Sequence, residues 1–269
     1  MPVAGTAHLR FARSGSRTIL ERSFATSPVK VFTTRNHGDA CWVYCATLGG
    51  GFVGGDEVRM TLDVRQGARA LVTTQASTKV YRSTRPASQS ISAVIEDDAL
   101  LAVMPDPIVC FAGADFSQEQ RYKLSGGANL VVVDWITSGR HAAGERWAFA
   151  RYANRLDITR DGRRVVYDGL RLENDGMTIA ERMGRFDVCL TAVVTGPLVS
   201  EAAAALAAGA SRLAVTKNAD LIESASPLAD RGTLLRMAGV SVEQIGRVLR
   251  ERLAFLHPLL GDDPWRRKW

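Results

Sequence analysis

The sequence predicts a mainly β protein: a large, sandwich-like or solenoidal stack of strands with a small α/β C-terminal part carrying two helices. Three observations predict it. From residue 57 to 196, short β-branched or apolar stretches recur every eight to twelve residues, broken by Gly, Asp, Asn or Pro. A dense glycine cluster opens directly into residues of period two. Beyond residue 196 that pattern stops, and two stretches carry helix start and stop signals. The expected organisation is a β-rich body over 1–196 and an α/β subdomain over 197–269, packed on it as one compact unit.

Residues 7–34 alternate weakly and read as three strands, His8–Phe11, Thr18–Phe24 and Val29–Thr33. Residues 40–47 make a fourth. Gly49, Gly50, Gly51, Gly54 and Gly55 follow, closed by Asp56. Such a cluster marks a backbone bent sharply or approached closely. Val58, Met60, Leu62 and Val64 then share one strand face, Gln66-Gly67 reads as a turn, and Ala68–Thr74 as the returning strand. Further strands are expected at Ile91–Ile95, Leu100–Met104, Ile108–Phe111, Leu130–Ile136, Trp147–Tyr152, Leu156–Thr159, Val165–Tyr167 and Val188–Val194. No residue-level repeat of fixed period is visible.

In the last third, Ser200 precedes EAAAALAA, and Gly209 sits just past its end. Ser241–Gln244 reads as a capping box. It opens a helix with Val242, Ile245, Leu249, Leu253 and Leu256 on one face, stopped by Pro258. Between the helices, Arg212–Thr216, Asp220–Ser224 and Thr233–Met237 read as strands.

Composition narrows the function. At 269 residues the chain buries roughly 75% of its unfolded surface, so it needs no cross-links. The N-terminus lacks the apolar core of a signal peptide, and no run approaches a membrane span, so a cytoplasmic protein is expected. Of the four cysteines, Cys41 and Cys45 share a strand face. At that spacing they lie about 13 Å apart, too far for a disulfide. Buried reduced thiols are expected. His8, His37, His141 and His257 form no metal-binding spacing. The net charge of +6 is dispersed, with small concentrations at Arg163-Arg164 and Arg266-Arg267-Lys268. Basic residues do not interleave with aromatics, which disfavours nucleic acid and favours an acidic protein partner.

Two glycine and polar motifs need weighing. Gly49-x-Gly51-x-x-Gly54 fits a dinucleotide fingerprint formally, but a strand follows where a helix is required. The run Thr73–Ser83 packs hydroxyls, an amide, two cations and a phenol together after a hairpin. A polar site or interface at Thr78, Lys79, Tyr81, Arg82 and the later Arg140 is the reading.

Together GGGFVGGD (49–56), TTQASTKVYRS (73–83), PDPIVCFAGADF (105–116), DWITSGRHAAGERW (134–147) and NRLDI (154–158) resemble the urease accessory protein UreD (UreH) family. The closing segment, residues 236–269, is similar to the family's last helix and tail. One departure is that Pro264 is separated from Arg267 and Trp269, where the family places Pro and Arg side by side. The resemblance implies a β-helix-like stack of strands with two helices. It also implies a non-catalytic scaffold that, with UreF and the GTPase UreG, helps deliver nickel to urease apoprotein. No tightly bound cofactor is implied, only nickel in transit.

Asp134 is stranded inside the apolar run LVVVDWI. A carboxylate there sits at a strand end or is buried with partners, because an unpaired buried charge is very costly. Arg140 and Glu145 just beyond could form a structural ion-pair cluster with it. The other reading is a polar channel that holds a borderline divalent cation weakly. Asp56, Asp134, Glu145 and Asp168 are the carboxylates assigned to such a path, with a turn-capping role open for Asp56. The chain lacks G-x-S-x-G, H-E-x-x-H and a P-loop. The rival is a β-solenoid hydrolase using Asp134 and Glu145 as an acid–base pair.

Overall fold

A computed structural model describes residues 4–34, 38–212 and 215–266. Two sheets face each other. The seven-stranded sheet runs in the order β14 (Arg163–Glu173), β13 (Arg151–Arg160), β11 (Asp115–Leu124), β8 (Ala87–Ile95), β5 (Glu57–Val64), β1 (Ala4–Ser14) and β2 (Arg17–Ala25). The ten-stranded sheet runs β16 (Leu221–Leu228), β17 (Gly232–Gly239), β15 (Val188–Thr195), β12 (Asn129–Thr137), β9 (Leu100–Val103), β6 (Arg69–Thr74), β4 (Cys41–Thr47) and β3 (Val29–Thr33). Short strands β10 (Ile108–Cys110) and β7 (Thr78–Val80) extend it beside β12.

From β4 to β13 the long strands alternate between sheets and stack in parallel on their predecessors. Cys41 pairs with Ala70, Ala70 with Leu101, and Leu101 with Leu130, steps of 29, 31 and 29 residues. A repeat is therefore present in register although absent in residue identity. Parallel strands covered on both faces read as continuous apolar runs, and every residue of β12 is buried.

Two cores result. Between the sheets lie Leu9, Phe11, Leu62, Ile95, Phe116 and Tyr152. The other core lies on the outer face of the ten-stranded sheet. There Trp42, Leu71, Val133 and Trp135 meet Leu206, Ile245, Leu249, Leu253 and Leu256. Those side chains come from α2 (Ser200–Ser211), α3 (Val242–Arg252), the turn after it and α4 (Leu256–Leu260). The indole of Trp42 donates to the carbonyl of Leu260 at 3.2 Å, fixing the tail across the sheet. The four cysteines are free thiols.

Several local expectations change. Ser200 is the first residue of α2, and its hydroxyl donates to the Pro197 carbonyl instead of capping; Gly209 is inside the helix. Ser241 accepts from the Gln244 amide, but its hydroxyl donates to Glu243, so only half of the capping box forms. The last helix breaks at Leu253–Phe255, and Pro258 sits in the first turn of α4, where its missing N–H costs nothing. The complete capping box belongs to an unexpected helix, α1 (Ile179–Met183), through Thr178 and Glu181. Trp147–Tyr152 is a strand only from Arg151; Trp147 itself has a φ of 52° and its indole donates to the Phe186 carbonyl. The strand β11 was hidden because its inward positions carry polar side chains. Leu213 and Ala214 of the expected Arg212–Thr216 strand lie outside the described residues, as do His37, Arg267, Lys268 and Trp269.

Candidate functional site

The parallel stacking brings distant motifs together at one end of the body. Phe52 pairs with Val80, the Tyr81 amide donates to Phe52, and the Phe111 amide donates to Val80. Ile108 pairs with both Thr78 and Ile136. The glycine loop, the Thr78–Ser83 run, the segment after β10 and the loop after β12 thus lie in successive layers. Close contact explains the glycines: a Cβ on Gly51 would collide with the Lys79 carbonyl, and one on Gly54 with the Ser83 hydroxyl.

The outside of this stack is a ledge. Tyr81 meets Phe111 edge to face with centroids 4.9 Å apart, and the Arg140 guanidinium lies 4.3 Å above the Phe111 ring. Arg140 also grips Glu145 through both of its carboxylate oxygens, and the Ala112 amide donates to Glu145 at 3.1 Å. These bonds, with Arg140 the larger cause, hold the Glu145 carboxyl below its usual range. Asp56 is buried and closes its own turn, accepting from the Val53 amide at 2.9 Å. Lys79 and Arg82 are exposed, and Thr78 is half-buried.

A second arrangement lies inside. Asp134 on β12 points between the sheets and is 6% exposed. Gln118 donates to one of its oxygens at 2.8 Å; Asn154 and Tyr152 donate to the other at 2.6 and 3.2 Å. Gln89 donates to Gln118, Gln120 donates to Asn154, and Tyr122 donates to Gln120. Every donor in this network is directed along a chain that ends on Asp134. Among the described residues no cation contacts its carboxylate. Burial pushes its pKa up to about 6, the Gln118 and Tyr152 bonds oppose that, and the charge of Asp168 adds to it.

Cavities flank the network. One of about 60 Å³ is lined by Thr74, Thr78, Gln89, Gln118 and Gln120. Another, of about 150 Å³, shares Cys45, Met60, Thr74, Thr78 and Gln89 with it and reaches Gly50, Gln75 and Ser77. On the opposite side, Asp134 pairs in register with Thr191, and Thr191 with Arg236. Arg236 donates to Asp168 at 2.6 Å, and these three residues line a third cavity of about 330 Å³.

The carboxylates assigned from sequence thus fall into two groups. Asp134 lies between the sheets, and half-buried Asp168, paired with Arg236, is near enough for its charge to act on it. Asp56 and Glu145 sit in the loop stack, each engaged by local donors. Asp134 and Glu145 share no hydrogen-bond partner: one is held by amides and a phenol between the sheets, the other by Arg140 and the Ala112 amide in the loop stack. The residues missed in sequence are Gln89, Gln118, Gln120, Tyr122, Tyr152 and Asn154. Their signal was the alternation Phe116, Gln118, Gln120, Tyr122, Leu124, in which amides occupy the buried phase of a strand. Chemically, the surroundings of Asp134 combine a carboxylate with amide oxygens and hydroxyls, oxygen donors of the kind that suit a hard or borderline divalent ion. Among the described residues no three His, Cys, Asp or Glu side chains converge.

A family model described as UreD urease accessory protein matches residues 3–269. A urease accessory protein UreD of Sorangium cellulosum is 48% identical over 266 residues, covering 99% of this chain and 85% of that one. One from Anaeromyxobacter is 41% identical over 266 residues, covering 98% and 89%. Urease accessory protein D of Oryza sativa subsp. japonica is 33% identical over 294 residues, covering 98% and 95%. Matches of this length and identity leave one conclusion: the chain belongs to the UreD family of urease accessory proteins.

Proposed function

We propose that this chain is a cytoplasmic scaffold that joins UreF and the GTPase UreG, docks on urease apoprotein, and passes nickel along the lane beside Asp134. Membership of the family makes it an accessory protein and not an enzyme. GTP hydrolysis belongs to the partner, in keeping with the missing P-loop. The alternating parallel strands suit a β-helix-like body. Among the described residues no helix is long and apolar enough to cross a membrane.

One observation carries the nickel reading. Asp134 is a deeply buried carboxylate with three hydrogen-bond donors and no cation among the described residues, and its donor Gln118 and register partner Thr191 each line a cavity. For stability alone, an apolar residue would serve better at this position. Amide donors keep the carboxylate in place without neutralising it, which leaves its charge to a passing cation. Asp168 offers a second carboxylate further along. Asp56 and Glu145 shape the mouth of the lane through their turns.

The test is coexpression of Asp134→Ala with the urease cluster. Partner capture should be retained, while nickel per apoprotein and urease activity fall together. A variant that captures its partners and still yields fully nickel-loaded urease removes Asp134 from the route.

A further inference from the structure

Some exposed arginines pair with a carboxylate on their own strand, while others, Arg17, Arg22, Arg182 and Arg247 among them, have no ion pair among the described residues; on the ledge, three unpaired cations gather around an aromatic pair. On the outer face of the seven-stranded sheet, Arg59 pairs with Glu57, Arg121 with Glu119, and Arg171 with Glu173. Each pair lies two residues apart on one strand, so that face is neutralised locally. On the ledge, Lys79, Arg82 and Arg85 are exposed and have no carboxylate partner among the described residues. Arg85 is anchored through the Gly54 carbonyl at 3.4 Å, and Arg82 packs against Gly113. Between these cations stand the Tyr81–Phe111 pair and Arg140.

We propose that this ledge is a docking surface for an acidic segment of a protein partner. Arg, Tyr and Phe held rigidly by a stacked backbone are the side chains that carry binding energy in protein interfaces. The unpaired cations supply the complementary charge, which governs approach and register. The position adds meaning. Gly50, which lines the 150 Å³ cavity, lies beside the Tyr81 hydroxyl, so a partner on the ledge sits at the mouth of the lane. In that respect the inference rests on the scaffold reading above.

The experiment compares the full chain with the double variant Lys79→Glu/Arg82→Glu. Two probes are a fluorescein-labelled ten-residue oligoglutamate peptide and a single-stranded DNA oligomer of equal charge. A third measurement is capture of purified urease apoprotein. The proposal expects the peptide to bind the parent, about tenfold more weakly to the double variant, with weakening by salt and an unchanged melting temperature. Equal peptide binding by parent and variant would overturn it, as would tighter binding of the DNA. A variant that melts early is replaced by Lys79→Gln/Arg82→Gln, for which the same loss is expected. If the peptide behaves as expected but the parent captures no urease, the scaffold reading fails and the ledge stands. If the parent captures urease and the double variant does so equally, urease docks elsewhere, and the peptide result alone decides the ledge.

Discussion

The two faces of β12 experience the same burial but receive different chemistry. Val131, Val133 and Trp135 point outward into a core sealed by α2, α3 and α4. The inward side carries Leu130, Val132 and Ile136, interrupted by Asp134 with its amide network. On the outer face Val131 and Val133 are apolar, and Trp135 spends its one donor on the Pro105 carbonyl at 2.8 Å. That face is built for stability. The inner face forgoes apolar packing at one row, and the cost is tolerated only because each polar atom there finds a partner. A buried polar row beside a fully apolar one, on a single strand, marks where function competes with stability.

Breaking the outer face should have the largest effect. Leu253 is fully buried against the sheet, and Leu253→Asp leaves an unpaired carboxylate there. A loss of about 4 kcal/mol or more is expected in urea unfolding. An unchanged midpoint would mean that the helices contribute little to the fold.

The inner face should reveal itself through pH. Asp134 holds its proton to about pH 6 in the fold, against an ordinary value of 3.8. A folded pKa raised above the unfolded one gives stability that is fully present below the unfolded value. That stability is lost as pH rises through the folded value. The parent should therefore lose about 3 kcal/mol from this group between pH 4 and 7. Asp134→Asn should lack that part of the slope, so its stability relative to the parent rises across the same window. Parallel stability curves would show that burial does not perturb this carboxyl.

Gln118→Leu sharpens the same contrast at smaller amplitude. It removes one donor to Asp134 and leaves the Gln89 amide without its acceptor. About 1–3 kcal/mol should be lost at pH 7. Because the Gln118 bond lowers the Asp134 pKa, the window of pH-dependent loss should also move upward. Urease activation should fall with it if the lane carries nickel. Arg140→Ala, on the exposed ledge, should leave the melting temperature where it was and weaken oligoglutamate binding. A clear drop in melting temperature would make the Arg140–Glu145 contact structural.

Much of the strand pattern was readable because its physics is local. Alternation over Val58, Met60, Leu62 and Val64 matches the inward row of β5, and the run at 130–136 matches β12. The amphipathic spacing of Ile245, Leu249 and Leu253 likewise foretold the face that meets the sheet. Helix ends were less legible. Ser200 and Ser241 have choices of partner that only the neighbouring Pro197 and Glu243 decide. The strand β11 was missed because burial of Gln118 and Gln120 depends on partners far away in sequence.

Sequence by itself determined that this chain is mainly β, that Asp134 stands in apolar surroundings, and that its motifs resemble the UreD family. Those properties follow from residue type and short-range periodicity. Tertiary structure decided which side chains meet Asp134. Gln118 reaches it from 16 residues away, Tyr152 from 18 and Asn154 from 20, all from the opposite sheet. It also decided that Asp168 would pair with Arg236 across 68 residues while Glu145 stayed with its neighbour Arg140. The physical reason is register. Stacked strands near thirty residues apart bring together positions that share no local signal, and the hydrogen-bond ladder fixes them to the residue.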